Sequence, residues 1–218
     1  MFVVIFEVEP RKERWDEYLD IAKVLRPELE KVDGFIDNER FVSQRAKTRI
    51  LSLSTWRDEK ALIRWRTLGV HHAAQRKGRF EVFADYRLRV GEITADTQVP
   101  QGYSLRESRF DETDVGEAKA VTLSEFSPDS GARSDLAPSQ SQGPVHQDVY
   151  DSIYQPGKTL LVCFFRDMAS AARFQPRPRG GETVRHRLVR VVRDYGMFDR
   201  REAPQYYAEP SAQGRESG

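Results

Sequence analysis

The chain has 218 residues, room for one large domain or two small ones, and its 39% hydrophobic and 11% aromatic content is enough for a packed core. Charged residues make up 32%, but 35 basic side chains balance 34 acidic ones, so no net field draws the chain to nucleic acid or to an anionic membrane. No apolar run suits a transmembrane helix, Met1 leads without a leader into a strand-like Phe-Val-Val-Ile-Phe, and the single cysteine, Cys163, excludes an internal disulfide. The expectation is a cytoplasmic globular protein.

Residues 2–9 alternate: Phe2, Val4, Phe6 and Val8 point to one face, and Val3, Ile5, Glu7 and Glu9 to the other. From Lys12 to Lys31, Trp15, Tyr18, Leu19, Ala22, Leu25 and Leu29 keep helical spacing, with Pro27 predicting a kink or an early end and Asp33-Gly34 a stop. Two strands follow at about 35–45 and 48–56. A second helix is predicted over 58–77, with Asp58 as N-cap and Gly78 as C-cap. A fourth strand at about 80–91 alternates through Phe80, Val82, Ala84, Tyr86, Leu88 and Val90. The order βαββαβ is that of a ferredoxin-like unit, an α+β fold with both helices on one face of an antiparallel sheet.

The second half echoes this order more weakly. Strands are predicted at about 117–126, 148–155, 158–166 and 183–193, with a short helix from Met168 to Phe174. Where a first helix should stand, residues 127–143 are rich in Ser, Pro, Gly and Gln and read as a loop. The expected organisation is a ferredoxin-like domain over 1–92, a linker over 93–116, a degenerate second unit over 117–198 and an irregular tail over 199–218. One sheet face of such a unit is left bare, and Val3, Ile5, Leu51 and Leu53 make it partly apolar here. Packing two such faces together removes both from water, at roughly 25 cal/mol per Å² of apolar area. An intramolecular pseudo-dimer follows, with a homodimer also open.

Chemistry-bearing residues concentrate on the second predicted helix. On a continuous helix Trp65, Leu68 and His72 share one face, and His71 is turned about 100° away, so the adjacent histidines form no metal site. A histidine beside an indole suits proton transfer to or from an aromatic substrate, although a histidine merely satisfied in an interface fits the same pattern. Glu7, Arg40, Arg87 and Arg89 are strand-borne charges expected to bridge the interface between sheets that face each other. Cys163, within Leu-Leu-Val-Cys-Phe-Phe, reads as a buried thiol rather than a nucleophile. Ten arginines and four acids lie between Arg166 and Arg201, a pattern expected of an ion-paired or solvated face. Phosphate-binding, dinucleotide, Ser-His-Asp and zinc motifs are absent.

The βαββαβ unit carrying Trp65-Arg66, His72-Ala73-Ala74-Gln75 and Gly78-Arg79-Phe80 resembles the antibiotic biosynthesis monooxygenase family, the dimeric α+β barrel group, over about residues 1–92. Residues 193–200 and the tail from Glu202 to Tyr207 resemble the end of tandem relatives. The resemblance implies a pocket between sheet and second helix, with Trp65 and His72 on its wall. The family spans cofactor-independent oxygenation of aromatic polyketides and haem degradation. Its haem-degrading branch has an Asn where Glu7 aligns and a haem-ligating His where Gln75 falls, so the resemblance implies no haem here, and no other cofactor or metal is expected.

Two function classes remain open. One is a cofactor-independent monooxygenase acting on a small aromatic molecule, with His72 as base, Trp65 as platform, and Arg66, Glu7, Gln75 and Tyr86 as substrate contacts. The other is a non-catalytic protein of the same fold that binds a small ligand or serves in assembly.

Overall fold

The computed structural model describes residues 1–127, 143–176 and 184–205. Most of the loop expected at 127–143, and the tail beyond residue 205, lie outside the described residues. In the first half β1 (Phe2–Pro10) leads through a 3-10 turn (Lys12–Arg14) into α1 (Trp15–Glu30), then β2 (Phe35–Ser43) and β3 (Ile50–Trp56). Two helices, α2 (Glu59–Thr67) and α3 (Gly69–Lys77), and a wide helical turn (Gly78–Val82) precede β4 (Phe83–Asp96). The second half holds β5 (Ala120–Phe126), β6 (His146–Ser152), β7 (Thr159–Phe165), α4 (Met168–Arg173) and β8 (Val184–Gly196). Among the described residues no helix is long and apolar enough to cross a membrane.

Three local expectations are corrected. Pro27 does not end α1, which runs on to Glu30. Gly78 caps α3 as expected, but in right-handed helical geometry, so a helical turn continues to Val82 and the fourth strand starts only at Phe83 rather than near residue 80. That strand also runs to Asp96, past the end expected at about residue 91, because residues 87–96 pair with β8.

The strands close into one antiparallel barrel in the order β1-β3-β2-β6-β7-β5-β8-β4. Within it, β4-β1-β3-β2 and β8-β5-β7-β6 each follow the ferredoxin-like order, and β2–β6 and β4–β8 pairing joins them. The fold is α+β, an α+β barrel. Its interior is the face expected to be bare: Val3, Ile5, Leu51 and Leu53 meet Val121, Leu123, Val162, Phe164, Val189 and Val191. The outer face of the first half is covered by α1, α2 and α3. That of the second half is closed by α4 through Ala171, Met168 and Phe174 packed on Ala120, Leu161, Cys163 and Phe165.

Charges inside the barrel are paired, as low-dielectric surroundings require. Arg89 Nη1 donates to Glu7 at 2.5 Å, Tyr150 Oη donates to the other Glu7 oxygen at 2.7 Å, and Arg89 Nε reaches Asp194 at 3.2 Å. Arg187 pairs with Glu125, which also takes Lys158 at 2.9 Å. Arg87 and Arg89 thus form the bridges expected of them, both to Asp194 of the second half, Arg87 at 2.6 Å; Glu7 makes its ion pair within the first half and crosses only through the Tyr150 hydroxyl. Arg40 does not bridge: it lies on the opposite face of its strand. The late arginines are largely ion-paired, Arg185 to Asp96 at 2.8 Å and Arg190 to Glu107 at 2.8 Å.

Candidate active site

Side chains alternate along a strand, so two rows run across the outer face of the first half. Asn38 stands opposite Ser54, Ser54 opposite Val4, and Val4 opposite Val90; one step along, Arg40, Ser52, Phe6 and Leu88 line up in the same way. The β2–β3 side of this floor is therefore polar and the β1–β4 side apolar. Tyr18, Ala22, Leu25 and Leu29 of α1, with Leu62, Trp65, His71 and Gln75 of α2 and α3, roof it, leaving a cavity of about 190 Å³.

The roof depends on a break that the sequence pattern hides. Asp58 caps α2 as expected, its Oδ1 accepting from Ala61 N at 2.8 Å. The helix stops at Leu68, whose backbone is extended (φ −60°, ψ 128°), and α3 begins at Gly69. Thr67, a β-branched residue, turns its hydroxyl back to the Ile63 carbonyl at 2.9 Å, and glycine follows two residues later; both weaken the helix at this point. The chain reverses enough for His71 to fold back onto Trp65. Their rings stack with centroids 4.0 Å apart and planes 15° from parallel. His71 Nδ1 lies 2.9 Å from the Trp65 carbonyl oxygen. A carbonyl only accepts, so Nδ1 carries the ring proton and Nε2 is left as the acceptor. Burial lowers the His71 pKa to about 4, so the ring is neutral at physiological pH.

The break overturns the shared face predicted for Trp65 and His72. Trp65, Arg66 and Gln75 line the cavity, but the histidine there is His71. His72 lines an adjoining cavity of about 360 Å³, with Arg66, Gln75 and Tyr86 and with the cationic Arg76, Arg79 and Arg200. Tyr86 Oη accepts from Arg200 Nη1 at 2.5 Å. Glu7 belongs to neither cavity, because it faces the barrel interior and Phe6 takes the outward position beside it. The residues that sequence reasoning missed are His71, Asn38 and Arg40. The signal for His71 was Thr67-Leu68-Gly69. For the other two it was the alternation of β2, which sets them on the floor with Ser52 and Ser54.

The closed α+β barrel, with a roofed, mostly apolar cavity beside a stacked Trp–His pair, defines a fold class that comparison narrows. Residues 1–77 match the family model for antibiotic biosynthesis monooxygenase. The chain is 42% identical to jasmonate monooxygenase ABM of Pyricularia oryzae (strain 70-15), the alignment covering 95% of this chain and 98% of that one. It therefore belongs to the antibiotic biosynthesis monooxygenase family. Among solved structures, a protein described as an antibiotic biosynthesis monooxygenase aligns at 17% identity over 41% of this chain and 95% of its own, with a TM-score of 0.38. An aldoxime dehydratase crystallised with butyraldoxime aligns at 9% identity over 88% of this chain and 79% of its own, with a TM-score of 0.53, a likeness of fold alone.

Proposed function

We propose that the protein is a cofactor-independent monooxygenase that oxidises a small, largely apolar, unsaturated or aromatic molecule in the cavity beneath Trp65. The observation that supports this most directly is the cavity itself, roofed, apolar on most sides and walled by a flat indole–imidazole stack. Jasmonate is the first compound to assay, because the 42% identical relative carries that name. The halves are read as an intramolecular pseudo-dimer, so that one chain completes the barrel, with no nucleic acid or membrane as partner.

The chemistry proposed needs no external reductant. A base removes a proton from an acidic C–H, and the carbanion passes one electron to dioxygen. The radical pair then joins as a peroxide, and loss of water leaves a carbonyl. The balance is R₂CH₂ + O₂ → R₂C=O + H₂O, with all electrons drawn from the substrate. His71 Nε2, not His72, is the acceptor on the cavity wall. Its affinity for a proton is low in the empty cavity and rises when negative charge develops beside it. Trp65 and the apolar walls exclude water from the reacting carbon.

The same low basicity of His71 favours a second reading, a cavity that binds its ligand without turning it over. Oxygen uptake and product mass, measured on protein in chelator with jasmonate and no added flavin or haem, separate the two. Uptake with an oxygenated product supports catalysis. Saturable binding without uptake returns the binding role, and uptake that requires an added cofactor overturns the cofactor-free part.

A further inference from the structure

We propose that Arg40 is a carboxylate anchor, so that the cavity takes molecules with one acidic end and an apolar body. This rests on the reading of the cavity as the substrate site. Arg40 lies on the polar side of the floor, and its Nε is buried with no hydrogen-bond partner. Its other neighbours are neutral. Asn38 Nδ2 donates to Ser52 Oγ and to the Leu53 carbonyl, both at 3.0 Å, which turns Asn38 Oδ1 to accept from Arg40 Nη1 at 3.1 Å. The phenolic groups of Tyr18 and Tyr154 also face the guanidinium.

Among the described residues no carboxylate lies within ion-pair distance of Arg40, whereas the barrel arginines Arg89, Arg185 and Arg187 each hold one. Neutral acceptors satisfy the hydrogens of a guanidinium but not its charge, and burying that charge uncompensated is costly. A ligand carboxylate supplies the missing counter-charge, in the planar geometry that guanidinium favours. Asn38, fixed by its own two donations, positions the anchor. Arg26 and Arg66 also line the cavity, but Arg26 is held by Glu30 at 2.8 Å and Arg66 is shared with the adjoining cavity.

The test compares acids with their methyl esters: jasmonate with methyl jasmonate, and decanoate with methyl decanoate. Binding is read by tryptophan fluorescence or calorimetry, turnover by oxygen uptake. Wild-type protein is expected to bind each acid at least tenfold more tightly than its ester. Arg40→Gln should abolish that preference by weakening the acids alone, Arg40→Lys should keep part of it, and Arg66→Gln should leave it intact. Thermal melting should show Arg40→Gln no less stable than wild type, because the variant removes an uncompensated charge. Equal binding of acid and ester by wild type, or loss of the preference in Arg66→Gln but not Arg40→Gln, overturns the anchor. The wild-type comparison is readable even if Arg40→Gln fails to fold, and Arg40→Lys then takes its place beside Arg66→Gln. If acids bind through Arg40 but none is oxidised, the anchor stands and the monooxygenase reading of the cavity falls.

Discussion

The imidazole of His71 lies flat on the indole of Trp65, ring centres 4.0 Å apart, while its Nδ1 donates to the backbone carbonyl of that same tryptophan at 2.9 Å. One residue thus supplies both the surface on which the imidazole rests and the acceptor that fixes its tautomer. Because the contact spans the break at Leu68, it also holds α3 against α2.

Activity should follow His71 rather than its neighbour. His71→Ala is expected to lower kcat by about 100-fold, the usual scale for loss of a proton-transfer group. His72→Ala, a change in the wall of the adjoining cavity, should change KM by about threefold or less and spare kcat. Steady-state oxygen uptake on both variants decides, and the reverse pattern would return the catalytic role to His72.

The buried imidazole also predicts a pH dependence of stability. Its pKa is about 4 in the folded protein, against about 6.5 in the unfolded chain. Between these values the unfolded state binds more protons, so stability rises with pH. The contribution is complete above about pH 6.5 and is lost as pH falls towards 4, about 3 kcal/mol at most. Urea titrations from pH 4.5 to 7.5 should show this slope in wild type and a flatter one in His71→Gln. Parallel slopes would mean that the ring is solvated.

How far the site was legible turns on that break. The alternation of β1 placed Glu7 on the face away from Phe2, Val4, Phe6 and Val8, and the structure keeps it there. Alternation is local, so single-strand patterns survive folding. The position of His71 was not legible, because rotation by 100° per residue holds only within one continuous helix, and Gly69 interrupts a pattern that otherwise keeps its period. Arg40 illustrates a different gap. Its strand marks two faces, but which of them meets the helices depends on the pairing of β2 with β3 and β6, and those partners are distant in sequence.

Glu7 should matter to stability and not to ligand choice. Glu7→Ala leaves Arg89 short of one carboxylate and Tyr150 without its acceptor, at an expected cost of about 3 kcal/mol. Combined with Arg89→Met, the loss should be smaller than the sum of the two, because the residues act as one pair. Denaturant unfolding of the cycle measures this. A fully additive result would show the bridge to be energetically idle.

Cys163 should be inert. Burial in β7 pushes its thiol up to about 12, leaving almost no thiolate at pH 8. Alkylation by iodoacetamide is expected only after unfolding, and rapid labelling of the native protein would show that α4 lifts from the sheet.

Closing the barrel within one chain has a consequence for what each position is free to become. Where two identical subunits meet about a twofold axis, every contact must suit both copies of the same residue at once. Here Glu7 of the first half meets Tyr150 of the second, and neither has to serve in the reciprocal place. The halves are released from self-complementarity. One has filled its outer face with Phe165, Ala171 and Phe174, while the other keeps open space under Trp65. If the space under Trp65 is the ligand site, calorimetry should count one molecule bound per chain rather than two.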